Sequence, residues 1–442
     1  MELPAGVNRR YASIAIFLLA IVWIWVAFDR PYTFPTHIPW NIYSNAPQTD
    51  RASDVFDYPP LHAPSIKRLC AETQWNASVV FTCQEPNGPF AEVRNSLLGC
   101  VRLAMAAGGS LVIPRIVVRD DRGDILAGNS TDLGYMFDTE HFVASMGLSC
   151  PQMRIYKTVF GIEDGENAQG PLSLQPENIL KAVGVGEHFA EDWRAAFYKW
   201  LSPVATEPNG PIIVRLGDSY LKYPTASDGE AFQQHFGKIL KIHSDVRRLA
   251  TVVLQKLSEM YREPLSLNLS LNDLMLQNVL LGVYLSTESD MDILSEEDRG
   301  TANYEAQSKL FLGHAMRKNL SLIYVASAHG PEIPRFILDA NADEIEATSK
   351  LDLLKSEDRE HLLSLTLDQQ AMVDFLVMTK VSEFIGMGYD SFSWSVALRR
   401  HEYLKKGTGA AWLSGHYVAK DPFSTLIGTT GGHKEFATSM WP

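Results

Sequence analysis

The sequence is poor in basic residues for its length. Its 442 residues include 39 lysines and arginines but 52 aspartates and glutamates, which gives a formal net charge of −13. Proteins that bind DNA or RNA need a basic surface that replaces the counterions of the phosphates. The composition therefore excludes nucleic acid as the expected partner.

Repeats and metal-binding spacings are also missing. No internal repeat or low-complexity tract is found, which excludes a solenoid or a disordered scaffold. No spacing of cysteine and histidine resembles a zinc site, so we expect no metal. With 46% hydrophobic and 21% charged residues, the chain is globular in composition and long enough for two domains.

One long apolar run lies near the N-terminus. Tyr11 to Phe28 is uncharged and mostly apolar, and as a helix it spans ~27 Å, close to the hydrocarbon thickness of a bilayer. Because Arg9 and Arg10 precede it, residues 1–10 are expected in the cytoplasm and the rest in the lumen. The alternative, a cleaved signal peptide, has a shorter apolar core and a small-residue cleavage site. We expect residues 11–28 to anchor a single-pass type II membrane protein of the Golgi or the endoplasmic reticulum.

Four N-glycosylation sequons agree with a lumenal location. Their asparagines are Asn76, Asn129, Asn268 and Asn319. Each sequon alone is weak support, because the same pattern arises by chance in cytosolic proteins.

The four cysteines all lie in the N-terminal half of the chain. They are Cys70, Cys83, Cys100 and Cys150. In an oxidising lumen, an even and clustered set predicts two disulfides with three possible connectivities, and buried free thiols are the alternative. We expect Cys70 to pair with Cys83 and Cys100 with Cys150, because each pair joins neighbouring elements.

Residues 29–66 differ from the rest of the chain in composition. They contain seven prolines and several aromatic residues. Proline removes a backbone donor and fixes φ, so a long regular element is excluded. We expect this range to be a stem between the membrane and the globular part.

Strands and helices alternate after the stem. The first expected elements are a strand at Val79 to Thr82, a helix with apolar residues from Val93 to Ala104, and a strand at Leu111 to Val118. A helix-rich middle from about Trp193 to Arg262, with its best helix from about Ser244, separates them from a second alternating region. The elements of that region are strands at 279–285, 322–326 and 383–388 and helices at 307–316, 333–339, 372–380 and 391–401. Two α/β regions, 67–262 and 263–442, predict two Rossmann-like domains with a ligand cleft at the carboxyl ends of the strands.

Four groups of residues form an ordered series between Cys70 and Gly407. They are Asn87-Gly-Pro-Phe-Ala-Glu-Val-Arg-Asn-Ser followed by Gly109-Ser-Leu-Val-Ile-Pro; Phe137-Asp-Thr-Glu-His-Phe; Tyr223-Pro-Thr-Ala-Ser-Asp-Gly; and Asp374 with Phe384-Ile-Gly, Asp390-Ser-Phe-Ser-Trp and Arg399-Arg400. In this order they resemble the motifs of the protein O-fucosyltransferase superfamily, and the third group resembles its fungal branch.

This resemblance implies a GT-B-like fold, in which two Rossmann-like domains face each other across a cleft. It also implies a lumenal glycosyltransferase that uses a GDP-sugar donor, GDP-fucose in the characterised members. The sugar would pass with inversion to a hydroxyl of a protein, a glycan or a small molecule, without a required metal or other cofactor. The alternative is a catalytically degenerate member that acts as a binding or scaffolding module in the secretory pathway.

The resemblance also implies a set of donor-binding residues. They are Asn87, Gly88, Arg94, Asn95, Tyr284, Asp290, Asp374, Ser391, Phe392, Ser393, Arg399 and Arg400. Backbone N–H groups near Gly88 would approach a diphosphate, and Asp374 would accept hydrogen bonds from guanine. Arg399 or Arg400 would form a charged clamp, although a solvated helix face is an equal alternative for either one.

The chain departs from the family on the first strand of the second domain. Where the family has His-x-Arg, this chain has Tyr284-Leu-Ser286. The missing arginine is expected to bind the departing diphosphate, and the loss of such a donor typically lowers the rate by ~10²–10³. We take Ser286 and Glu288 as catalytic candidates from the aligned motif. Arg215 is a third, because Val214-Arg215-Leu-Gly-Asp218 resembles another form of the motif; a structural or rim role is its alternative.

Overall fold

The computed structural model describes residues 54–119, 125–163, 165–181, 183, 186, 188–203, 210–261, 280–287, 294–408, 417–429 and 433–442. These residues belong to one contact unit, Ala52–Pro442. The expected tail and anchor, and the expected stem as far as residue 53, lie outside the described residues. No helix within the described ranges is long and apolar enough to cross a membrane.

The first half of the fold is built on a parallel five-stranded sheet. Its elements, in chain order, are α1 (Pro64–Glu72), β1 (Val79–Cys83), α2 (Phe90–Ala107), β2 (Ser110–Val112), β3 (Arg115–Arg119), β4 (Ile125–Asp132), α3 (Thr139–Ser149), β5 (Ile155–Tyr156), β6 (Gln169–Leu174), α4 (Glu177–Leu180), α5 (Phe189–Leu201), β7 (Ile212–Leu216), α6 (Glu230–Phe236) and α7 (Ser244–Tyr261). The sheet has the order β5-β2-β1-β7-β6, and β3 and β4 form a separate antiparallel ribbon.

The second half contains a six-stranded sheet. Its elements are β8 (Leu280–Leu285), α8 (Glu296–Arg299), α9 (Tyr304–Lys318), β9 (Leu322–Ser327), α10 (Glu332–Ala342), β10 (Glu346–Thr348), α11 (Lys350–Leu353), α12 (Ser356–Ser364), α13 (Leu367–Met378), β11 (Glu383–Met387), α14 (Ser391–Thr408), β12 (Tyr417–Lys420), β13 (Ser424–Ile427) and α15 (Lys434–Ser439). The order is β10-β9-β8-β11-β13-β12, and only β12 runs antiparallel to its neighbour. The mixed α/β architecture with parallel sheets agrees with the expected fold class.

Helix α2 lies between the two halves. Phe81 of β1 and Val214 of β7 are fully buried in the same core as Val93 and Leu97, so α2 covers that face of the first sheet. Its other sides pack against α13 and α14 of the second half, which is why almost every residue of α2 is buried. The helix ends at Gly108, whose φ of 75° is left-handed. A Cβ there would lie 2.1 Å from the carbonyl oxygen of Gln74, so only glycine fits.

The strand expected from Leu111 to Val118 is two strands. Strand β2 ends at Val112, and β3 begins at Arg115. Pro114 lies between them and has no N–H to donate to a ladder. The chain leaves the sheet there and pairs with β4 in the antiparallel ribbon.

The four cysteines form two disulfides, as expected, but the expected pairing is wrong. Cys70 is bonded to Cys150, and Cys83 to Cys100. Cys70 lies on α1, which packs against α3, and Cys150 directly follows α3. Cys83 ends β1 beneath α2, which carries Cys100. The paired cysteines lie close together because their helices and strand pack on one another, and not because they are neighbours in the sequence.

The globular fold includes part of the range expected to be stem. Phe56, Ala63 and Ile66 are buried in the core of the first half, and helix α1 begins at Pro64. Proline at the first turn of a helix replaces an N–H that would have no partner there. Residues 54–66 therefore pack on the first half.

Candidate functional site

The carboxyl-terminal edges of the two sheets meet at one interface. Helix α2 starts a few residues beyond the carboxyl end of β1, and α14 starts just beyond that of β11. The first turns of these helices touch, because the Ser391 hydroxyl donates to Oε1 of Glu92 at 3.4 Å. This is where the α/β pattern predicts the ligand cleft.

Glu92 is the central carboxylate of this interface. Its side chain is half-buried in the first turn of α2. Burial raises the pKa of Glu92 above the ordinary value of 4.5, and the nearby carboxylate of Asp390 raises it further. A carboxylate whose pKa is raised is a stronger base than an ordinary one, which suits it to accept a proton.

The loop before α2 places glycine beside this carboxylate. Gly88 has a φ of 143°, and a Cβ at that position would lie 2.9 Å from Oε2 of Glu92. Asn87 next to it is exposed. Two of the expected donor-binding residues therefore do lie at the interface.

Asp390 links the end of β11 to the end of β8. It accepts the backbone N–H of Ser393 at 2.6 Å, which caps the start of α14. Burial raises the pKa of Asp390, while hydrogen bonds from Ser393 and the Ser286 hydroxyl act against the rise. Ser286, the expected arginine position, thus contacts a carboxylate.

The backbone around Ser286 is held rigidly. Its N–H donates to Oε1 of Gln307 at 2.9 Å, and its carbonyl accepts from Gln307 and from the Tyr389 hydroxyl. Tyr284 stacks on Phe392, with ring centroids 4.1 Å apart. Both aromatic residues, which were expected to bind the donor, are buried and pack on each other.

Two residues after β7 complete the first half's side of the interface. Asp218 accepts from the Ser96 hydroxyl at 3.1 Å and from the N–H of Tyr220. Burial raises the pKa of the Tyr220 hydroxyl, and the charge of Glu92 adds to the rise. Tyr220 therefore stays neutral and lies close to Glu92.

An ion pair joins the halves beside Glu92. Nε of Arg119, on β3, donates to Oδ2 of Asp368 at 3.1 Å, and Nη2 donates to Oδ1. The Tyr135 and Thr366 hydroxyls are 2.6 Å apart and reinforce the same contact. The charge of Arg119 also acts on Glu92.

The expected clamp at Arg399 and Arg400 is not at this interface. Arg400 is fully buried and lies nine residues after the start of α14, about 14 Å along the helix. Its guanidinium donates to the carbonyls of Met378, Val381, Ser382 and Phe423 and to the Ser424 hydroxyl. Val381 and Ser382 precede β11, so Arg400 binds the edge opposite the cleft. Arg399 is half-buried one residue earlier.

Asp374 also lies away from the cleft edge. It is six residues after Asp368, about 9 Å deeper along α13. Its carboxylate accepts from Nζ of Lys350 and, at 2.7 Å, from the Tyr324 hydroxyl. Burial raises the pKa of Asp374, and Lys350 opposes the rise. The expected guanine acceptor is thus occupied by the protein's own side chains.

Arg94 and Asn95 bind the C-terminal segment instead of a donor. Arg94 donates to the backbone oxygen of Trp441 at 2.8 Å and to that of Pro442 at 2.7 Å. The side chain of Asn95 donates to the carbonyl of Ser439 and accepts from the N–H of Trp441. Their role in the described structure is to hold residues 439–442 on the first half.

Arg215 lies on the other face of the first sheet. Along β7, Val214 faces the core beneath α2, whereas Ile213 faces a smaller cluster on the opposite side. Because side chains alternate along a strand, the exposed Arg215 points to the side of Ile213 and away from Glu92. Glu288 and Asp290 lie outside the described residues.

Two further motifs of the resemblance are structural. His141 packs edge-on against Tyr58 and is buried. Tyr223 donates to Oδ1 of Asp228 at 3.0 Å, and Asp228 is bound through both oxygens by the buried guanidinium of Arg102. These groups fix the first half and do not reach the interface.

Comparisons with known proteins give low similarity throughout. No protein-family model matches the sequence, and no curated protein is significantly similar to it. Among solved structures, POFUT1 in complex with GDP aligns with a TM-score of 0.44 and 14% identity, over 81% of this chain and 100% of that chain. A mutant of Arabidopsis thaliana FUT1 in complex with GDP aligns with a TM-score of 0.38 and 11% identity, over 77% and 73%. Fucosyltransferase NodZ from Bradyrhizobium gives 0.36 and 12%, over 73% and 93%.

At these identities and scores, the alignments do not say which residues of this chain bind or react. The residues that the structure brings together were only partly named from the sequence. Glu92 and Asp390 lie within the quoted motifs but are not among the predicted site residues. An acidic residue in the first turn of a helix that follows a strand is a signal that could have found Glu92. The sequence gives no signal for Arg119, because the ribbon of β3 and β4 brings it to Asp368 only in the folded chain.

Proposed function

We propose that the protein is a glycosyltransferase of the fucosyltransferase-like class, with Glu92 as its general base. It would transfer a sugar from a GDP-sugar to a hydroxyl of a protein, glycan or small molecule, with inversion at the anomeric carbon. GDP-fucose is the leading candidate for the donor. The observation that supports the proposal is the contact between Glu92 and Ser391 where the two sheets' carboxyl edges meet. The motif series discussed above supports the class of donor.

The chemistry suits a half-buried carboxylate. The bond between the anomeric carbon and the β-phosphate oxygen breaks, and its electron pair leaves with GDP. The acceptor oxygen bonds to the anomeric carbon from the opposite side, and its proton passes to Glu92. Burial raises the pKa of Glu92, and a carboxylate with a raised pKa is a stronger base toward the acceptor hydroxyl.

The test is product analysis of the full-length protein with GDP-fucose, GDP-mannose and UDP-glucose. Calorimetric titration gives the affinity for each donor, and mass spectrometry identifies transferred sugar or released free sugar. We expect turnover with a GDP-sugar and none with UDP-glucose. If none of the donors binds, the proposal is wrong.

A second candidate is a degenerate member that binds a nucleotide, glycan or partner without transfer. It is favoured by Ser286, which contacts Asp390 where a cation was expected, and by the burial of Arg400 in backbone contacts. GDP binding with neither transfer nor donor hydrolysis would support this candidate. Turnover would exclude it.

We further propose that residues 11–28 anchor the protein in a membrane of the secretory pathway, with residues 1–10 in the cytoplasm and residues 29–442 in the lumen. Of the sequon residues, Asn129 and Asn319 are exposed, Asn76 is half-exposed, and Asn268 lies outside the described residues. Endoglycosidase should lower the mass of protein from cells, and N-terminal sequencing should recover residues 11–28. A mature N-terminus beyond residue 28 would contradict the anchor.

A further inference from the structure

The proposed transfer leaves one charge without a partner. As the bond to the sugar breaks, negative charge grows on the β-phosphate, and an arginine would stabilise it best. Ser286 carries no charge, and Arg400 lies at the opposite edge of its sheet. A different cation is therefore needed if the chain turns over, and the following inference rests on the proposed function.

Arg119 lies on the cleft side of both halves. The ribbon that carries it is held against the loop before α2, because the N–H of Val117 donates to the carbonyl of Pro86 at 3.2 Å. Its partner Asp368 lies in the first turn of α13. Helix α13 precedes the parallel strand β11 and runs back across the sheet, so its first turn is at the carboxyl edge of the strands.

The guanidinium of Arg119 is held by Asp368 through two of its three nitrogen atoms. Nε and Nη2 bind the two oxygens of Asp368, whose side chain is only 6% exposed, whereas that of Arg119 is 21% exposed. Nη1 donates to no described residue and can reach a ligand. A planar guanidinium held on one edge by a carboxylate presents its other edge in a fixed direction.

The ribbon places Arg119 on the same side of the fold as Glu92, because the loop that Val117 contacts leads directly into the first turn of α2. Arg119 acts electrostatically on Glu92, and Glu92 contacts Ser391 at the start of α14. Arg115, on the same ribbon strand, is instead exposed and binds Ser130 and Asp132. Only one of the two arginines of β3 therefore faces the interface.

We propose that Arg119 is the cation that binds the departing diphosphate, with Asp368 as the residue that positions it. When the bond between anomeric carbon and phosphate oxygen breaks, the electron pair stays on the β-phosphate, and Nη1 of Arg119 donates to that oxygen. The acceptor proton goes to Glu92. Arg119 gains most of its interaction as GDP forms, so it favours the transition state and product over the intact donor.

The experiment measures GDP affinity, GDP-fucose affinity and kcat for the full-length wild type, R119M, R119K, the double variant R119M/D368N and the control R115M. R119M should bind GDP at least tenfold more weakly, with a smaller loss for GDP-fucose, and kcat should fall by roughly 10²–10³. R119K should recover part of the GDP affinity and part of kcat, because lysine restores the positive charge. R115M should match the wild type in every measurement.

The double variant separates function from folding. R119M alone leaves the buried carboxylate of Asp368 unpaired and can lower stability, whereas R119M/D368N removes that charge as well. We expect the double variant to regain thermal stability but neither GDP affinity nor kcat. Recovery of GDP affinity in the double variant would show that Arg119 is structural only, and would overturn the inference.

The outcomes distinguish this inference from the proposed function. Wild-type turnover with unchanged GDP affinity and kcat in R119M would overturn the role of Arg119 alone. Wild-type GDP binding without turnover would contradict the glycosyltransferase, while the GDP affinity of R119M still decides whether Arg119 contacts the diphosphate. If the wild type binds no GDP, both are wrong.

Discussion

The ammonium group of Lys350 and the carboxylate of Asp374 form a buried ion pair beneath the second sheet. The carboxylate also accepts from Tyr324, and the ammonium also donates to the carbonyl of Gln370. Every charged atom has a partner, so breaking the pair leaves a charge in an apolar core. We therefore expect the pair to contribute to stability rather than to recognition of guanine.

Lys350→Met should destabilise the protein by ~3–5 kcal/mol at neutral pH, because Asp374 is then buried without its cation. The pKa of Asp374 is already raised by burial and is lowered in part by Lys350, so it rises further in the variant. Ionisation then costs more in the folded state, and the loss of stability grows as pH rises above the ordinary aspartate range. Thermal unfolding of the wild type and the variant from about pH 4 to about pH 8 measures how the loss of stability changes with pH.

Lys350→Met with Asp374→Asn is the control. Asparagine still accepts from Tyr324 but carries no charge, so most of the stability should return and its dependence on pH should flatten. A single variant as stable as the wild type at neutral pH would contradict the assignment. So would a loss of GDP affinity in the folded double variant.

The two disulfides should differ in their effect on stability. Cys70–Cys150 spans 80 residues and Cys83–Cys100 spans 17. Loop-closure entropy then predicts that the longer crosslink contributes about 1.4 kcal/mol more. We expect C70S/C150S to unfold at a lower temperature than C83S/C100S. Peptide mapping without reduction should recover these two pairs, and a Cys70–Cys83 peptide would contradict the structure.

Trp441 should be a stability residue of the first half, although it lies at the other end of the chain. It is buried, and its ring lies 4.7 Å from that of Phe236 and 5.7 Å from that of Tyr223. Trp441→Ala should lower the free energy of unfolding by ~3–5 kcal/mol. Phe160→Ala, at an aromatic side chain that is 99% exposed, is the matched control and should have little effect. Equal stability of the two variants would contradict the packing of the C-terminal segment.

Introducing the His-x-Arg motif that the sequence resemblance led us to expect should not raise kcat. In Tyr284→His with Ser286→Arg, the new arginine would lie beside Asp390, which the Ser286 hydroxyl contacts in the wild type. The replacement of Tyr284 would also remove its stacking on Phe392. If Arg119 already binds the diphosphate, kcat should stay level or fall. A tenfold or greater rise in kcat would show that the wild type lacks a leaving-group cation.

Periodic elements were predictable because their signal is local. The helices around Val93, Leu249 and Phe311 and the strands around Val80 and Val325 were expected within a few residues of their bounds, since buried faces repeat at the period of the element. Turns and short elements were harder. The strands and helix after residue 416 carry no strong periodic pattern, and they take their place from contacts with β11 and the first half.

The site was less predictable than the fold, because charged residues look the same in a sequence whether they bind a ligand or a carbonyl. Arg94 and Arg400 match motif positions, but their partners are backbone oxygens that only the folded chain brings near. Arg119 lies between no recognised motifs and becomes a candidate only through Asp368, which is 249 residues away. Long-range contacts of this kind have no local signature.

The pH dependence of turnover tests most directly whether Glu92 accepts the proton of the acceptor hydroxyl. The pKa of Glu92 is raised by burial and by Asp390, so the wild-type kcat/KM for GDP-fucose should rise with pH through a value above 4.5. E92Q should lower kcat by roughly 10²–10⁴, remove this acidic limb and leave donor affinity nearly unchanged. E85Q, in the loop just before α2, is the control and should keep the wild-type profile. Turnover in E92Q equal to that of the wild type, with the same acidic limb, would contradict the account.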